Sequence, residues 1–147
     1  MFEGASRETL RAVFFRAWQR QQRGEPLEGA EALIVRVAQL HPEYHHVLAA
    51  PDRYTDQDYL PEVGKTNPFL HMAMHISIEE QLALDQPRGV RAHYQRLLQA
   101  LPDEHAVQHA MMECLGEMLW QAARAGGVHS EKLYLDCLAR LATATRR

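Results

Sequence analysis

The sequence predicts an all-α protein, a single-domain helical bundle of about five to six helices spanning residues 1–147. Three observations lead there. Apolar residues recur at helical spacing in one segment after another. Proline and glycine punctuate the ends of those segments. No stretch of four to eight residues alternates like a strand between turn signals.

Taken in order, about Arg7 to Arg23 forms an amphipathic helix, capped by Ser6 and carrying Leu10, Val13, Phe14, Ala17 and Trp18 on one side. Gly24 and Pro26 end it. A second helix is expected from about Leu27 to Leu40, with Pro42 closing or kinking it. One or two helical turns then follow as far as Ala49. Residues 51–66 read as a long acidic loop, placed to act as a lid over the helix that follows or as a solvated connector.

Asn67 as cap and Pro68 in the first turn open the third long helix, which runs to about Asp85 before Pro87 and Gly89. A fourth spans about Val90 to Leu101, and a fifth about Asp103 to Arg124, stopped by Gly126-Gly127. The last, about Glu131 to Thr143, is capped by Ser130 and turns Tyr134, Cys137, Leu138 and Leu141 inward. Cys114 and Cys137 read as small buried hydrophobes. The methionines Met72, Met74, Met111, Met112 and Met118 read as core filler rather than copper(I) ligands, because they point to different faces.

Composition excludes several function classes. The net charge of −3 and a pI near 6.3 leave no basic footprint for nucleic acid. No apolar run is long enough to span a membrane. The N-terminus lacks a secretory pattern, so the cytoplasm is the expected compartment. The oligomeric state is not legible. Histidine is the outlier, at 9 of 147 residues.

The histidines are patterned. Pro68-x-x-His71-x3-His75-x3-Glu79 recurs as Pro102-x-x-His105-x3-His109-x3-Glu113, with an offset of 34 residues. Residues four apart lie one above the other on a helix, drifting about 40° per step. Each triplet therefore lines one helical face. On the first helix His71, Met74, His75, Ile78 and Leu82 follow the spacing of a core stripe; on the second, His105, His109, Met112, Gly116, Leu119 and Ala123 do so.

Imidazole and carboxylate converging in a core are costly to bury without a partner, which makes His71, His75, Glu79, His105, His109 and Glu113 candidate metal ligands. Their mixed shell suits one or two divalent transition ions, with iron and zinc favoured ahead of manganese. An open coordination position would support oxidoreductase or hydrolase chemistry. Glu80 and Glu117 are candidate outer carboxylates, and His41, Glu43, His45 and His46 are further candidates near the site. The alternatives are a metal-free structural or interaction protein whose His–Glu network fixes helix register, and a module that responds to pH through its histidines.

The words His41-Pro-Glu-Tyr-His45, Asn67-Pro-Phe-Leu-His71-Met-x-Met-His75, Asp85-x-Pro-x-Gly89 and His109-Ala-Met-Met-Glu113-Cys-Leu-Gly-Glu117 together resemble a bacterial family catalogued as domain of unknown function 1841. That resemblance covers nearly the whole chain. It implies a small, cytoplasmic, single-domain bacterial protein and carries no activity. In pattern alone, the HxxxH and HxxxE pairs are also similar to hemerythrin and the DinB-type metal-binding helical bundles. In hemerythrin, His and carboxylates from several helices hold iron.

Overall fold

The computed structural model describes residues 6–59, 67–127 and 130–145. Every regular element among them is helical, so the all-α class stands. The expected count of five to six helices does not: the described residues form eight α-helices and one 3-10 turn. The extra elements arise where the sequence suggested only loose turns or loop. Pro42–Tyr44 is the 3-10 turn, His45–Leu48 forms α3, and Pro51–Tyr54 forms α4. Pro42 and Pro51 each sit in a first turn, where the missing N–H costs nothing and the fixed φ favours a helical start. Part of the expected 51–66 loop is therefore helical, and residues 60–66 of the proposed lid lie outside the described residues.

The chain divides into two compact units, Met1–Ile76 and Ser77–Arg147. In the first, α1 (Arg7–Gln22) begins where Ser6 accepts a hydrogen bond from the Thr9 amide at 3.1 Å. The second helix, α2 (Glu31–Gln39), starts four residues later than the sequence suggested. Gly29 is the reason, since its φ of 57° lies in the left-handed region and interrupts any helix begun at Leu27. Glu31 then takes hydrogen bonds from the Glu28 amide and the Arg20 guanidinium, both at 2.9 Å.

The core of this unit joins Phe14, Phe15 and Trp18 of α1 to Ile34, Val35, Val37 and Ala38 of α2 and Val47 and Leu48 of α3. Phe69, Met72 and Ile76 of α5 (Pro68–Leu84) complete it, with the Phe69 ring edge-on to Phe14 and Phe15. Arg11 is buried in the same wall, 2% exposed. Its guanidinium donates to the carbonyls of Tyr54, Thr55 and Gln57 at 3.2, 3.1 and 2.8 Å and stacks over Phe69. Desolvation draws its pKa down from the usual arginine value.

The second unit contains the C-terminal half of α5, α6 (Val90–Ala100), α7 (Glu104–Arg124) and α8 (Glu131–Thr145). Asp85 ends α5 in the left-handed region, and its carboxylate accepts from the Arg91 amide at 3.0 Å. The Arg91 side chain in turn donates to the Leu82 and Ala83 carbonyls, which closes the last turn of α5. Asp103 caps α7 by accepting from the Ala106 amide at 2.8 Å. Between α7 and α8, Cys114 and Cys137 form a disulfide, which replaces the expectation of two separate buried thiols. Two helices that pack side by side bring these cysteines together, although 23 residues separate them in sequence.

Candidate metal-binding histidines

Burial separates the two triplets. In α5, His75 is 1% exposed and sits at the centre of the buried face, while His71 and Glu79 flank it, half-buried. In α7 the buried residues are Val107, Gln108, Met111, Met112, Cys114, Leu115 and Ala122. That face is set by packing on α8 and by the Cys114 bridge. His105 stands at its rim, half-buried, and His109 and Glu113 are exposed, as are Leu119 and Ala123. The expected core stripe of α7 is therefore corrected. Residues at i, i+4 and i+8 turn by about 80° over two steps, so a triplet that begins at the rim ends on the far side.

In the first unit three imidazoles converge. His71 and His75 lie one turn apart with ring centroids at 4.9 Å and their Nε2 atoms at 3.3 Å. His41, at the start of the 3-10 turn, places its ring 5.0 Å from that of His71 and 4.7 Å from that of His75. The three rings meet at interplanar angles of 58° to 82°, so none of the three pairs is stacked. The Val37 carbonyl lies 2.8 Å from His41 Nδ1, so Nδ1–H donates and Nε2 carries the lone pair. Tyr44 stacks flat on His41, with centroids at 5.4 Å and an interplanar angle of 8°. Burial raises the Tyr44 pKa and keeps the phenol protonated.

In the second unit the rings of His105 and His109 are 4.2 Å apart and nearly perpendicular. Glu79 accepts a hydrogen bond from the buried Gln108 amide at 2.8 Å, which occupies one carboxylate oxygen. The outer candidates are also placed. Glu80 is half-buried, and Glu117 is exposed and accepts from Gln121 at 3.1 Å.

His41, His75, His105 and His109 are the described residues with donor atoms placed to hold a metal ion. The ring nitrogens of His41 and His75 in the first unit lie within 4.8 Å of one another, and those of His105 and His109 in the second do likewise. Of the earlier candidates around residue 43, only His41 joins the imidazoles described. Glu43 and His46 are exposed, and His45 packs on Trp18 with its Nε2–H donating to the Ala38 carbonyl at 2.8 Å. Helical periodicity could not single out His41, because it stands between two elements. One signal was present: the interval of 34 residues that relates the triplets also separates His41 from His75.

Residues 6–140 match the model of a family described as a domain of unknown function (DUF1841). No curated protein and no solved structure matches the chain, so the likeness to hemerythrin and the DinB-type bundles rests on sequence spacing alone. No described helix is long and apolar enough to cross a membrane.

Proposed function

Because this chain belongs to the DUF1841 family, whose description names no activity, we propose its function from its histidines: it binds a divalent transition-metal ion. The observation that carries this reading is the convergence of His41 and His75, 2% and 1% exposed, with their ring nitrogens within 4.8 Å. Imidazoles gathered out of water lose hydration, and a cation shared between them offsets that loss.

In the first unit the candidate ligands are His41, His71 and His75; in the second, taken by itself, they are His105 and His109. Glu79 and Glu113 complete the residues expected from spacing and take supporting parts, since Glu79 is already bonded to Gln108 and Glu113 is exposed. An ion held with one position open makes a bound water nucleophilic or activates oxygen, so the enzymatic form of this reading is a metal-dependent hydrolase or oxidoreductase.

A second reading is a metal-free interaction protein in which the same groups form a polar network. The Gln108–Glu79 and His41–Val37 hydrogen bonds favour it, because both satisfy polar groups of the set with protein partners. Elemental analysis of protein purified without a histidine tag separates the two readings. A transition ion should copurify, His75→Ala should lower its content sharply, and His93→Ala should not. Protein that neither retains nor takes up any transition ion would leave the polar network as the function of these residues.

A further inference from the structure

We infer that the C-terminal half of α7 is a seam for self-association, on which a second copy of this chain docks with its own α7 antiparallel; metal binding is not required for it. Gly116, Leu119, Trp120 and Ala123 follow the i, i+3, i+4, i+7 spacing of an apolar stripe. The fold does not bury them. Leu119 is 39% exposed and Trp120 53%, Ala123 is exposed, and Gly116 is half-buried. The buried side of α7, which carries Val107, Met111, Leu115 and Ala122, is centred about 110° away around the helix. This half of α7 therefore has two apolar stripes, of which its own fold covers one. Tryptophan and leucine held in water on one stripe are the mark of a surface that another protein covers.

Charge indicates which protein. Glu113 and Glu117 flank the start of the stripe and Arg124 its end, all three exposed and within about 40° of one another around the helix. Among the described residues neither Glu113 nor Arg124 has an ion-pair partner. The Arg124 guanidinium lies 4.6 Å over the Trp120 ring, which holds the cation at the end of the stripe and leaves its N–H edges free to donate. Acid followed by base along one flank is self-complementary in an antiparallel two-fold pair, where the same flank of both helices meets in reverse order.

The register follows from the spacing. With Leu119 opposite Trp120 of the second copy, Gly116 falls opposite Ala123, where the missing side chain permits close approach. Arg124 then stands level with Leu115 of the second copy, midway between Glu113 and Glu117 and about 3 Å along the axis from each. A parallel pair would instead set like charges on each other. The distance from Glu113 to Arg124 is only about 17 Å, so the interface is small and the dimer belongs to the weak, transient class. The apolar stripe supplies the attraction, and the charges set the orientation.

Sedimentation velocity tests this on untagged full-length protein in chelator and low salt, from about 1 to about 500 µM. The expected result is a reversible shift from monomer to dimer across that range. Trp120→Glu should raise the dissociation constant at least about tenfold with an unchanged far-UV circular dichroism spectrum. An acidic variant, Arg124→Glu, and a basic one, Glu113→Arg with Glu117→Arg, should each associate more weakly than the unmutated chain when alone, and should pair when mixed. Monomer at every concentration would overturn the inference. A dimer that Trp120→Glu leaves intact would do so too. Acidic and basic variants that fail to pair, under conditions where the unmutated chain dimerises, would overturn the antiparallel arrangement.

Discussion

Asp85 shows how much one residue at a helix junction can carry. It occupies a left-handed backbone conformation with φ of 51°, which aspartate tolerates better than most side chains do. Its carboxylate caps α6 through the Arg91 amide, and hydrogen bonds from the Arg91 and Gly89 backbone hold its pKa below the ordinary value. A depressed folded-state pKa means that the ionised form is favoured by folding. The contribution is complete above the unfolded pKa, near 3.8, and is lost as pH falls through the lower folded value. We expect Asp85→Asn to keep the backbone conformation and to flatten the acid limb of the stability profile below about pH 4. Urea midpoints at neutral pH and near pH 3 check this. An acid limb of unchanged slope would show that the Asp85 charge does not contribute there.

At the scale of elements, what was legible followed local rules. Asn67 accepts from the Phe69 and Leu70 amides at 3.0 and 3.2 Å, and Pro68 fills the first turn, as the residue types alone suggested. In α5 the expectation of a buried histidine held for His75, which sits at the centre of the apolar face, while His71 flanks it. The burial of the α7 stripe was misjudged because its face depends on α8, and the Cys114–Cys137 bridge has no local signature. His41 was only one candidate among four, because a residue between helices has no period to read. The bridge itself predicts a measurable effect. Closing a loop across 23 residues of sequence restricts the unfolded chain by about 3 kcal/mol. Reduction, or the Cys114→Ala, Cys137→Ala pair, should therefore lower the denaturation midpoint by a corresponding amount. Superimposable melts with and without a dithiol reductant, with reduction confirmed by thiol titration, would show that the bridge does not stabilise this fold.

At the scale of the whole molecule, the two compact units each carry an internal group that solvent reaches only when that unit loosens. In the second unit it is Cys114, 1% exposed and oxidised. In the first it is Arg11, 2% exposed, whose Nη1 donates to the carbonyls of Tyr54, Thr55 and Gln57. This makes Arg11 a built-in clock for local opening. Dicarbonyl reagents that attack guanidinium groups will modify exposed arginines such as Arg16 and Arg36 at once and Arg11 only during excursions that release residues 54–57. Peptide mapping by mass spectrometry against time would give its rate. If Arg11 labelling proceeds at a urea-independent rate well above the global unfolding rate, the segment opens alone. If it tracks global unfolding at every urea concentration, the arginine and its carbonyls are part of the last structure to yield. An Arg11 modified as fast as Arg16 would contradict its burial. The protein's slowest-reacting arginine thus becomes a measure of how often its first unit breathes.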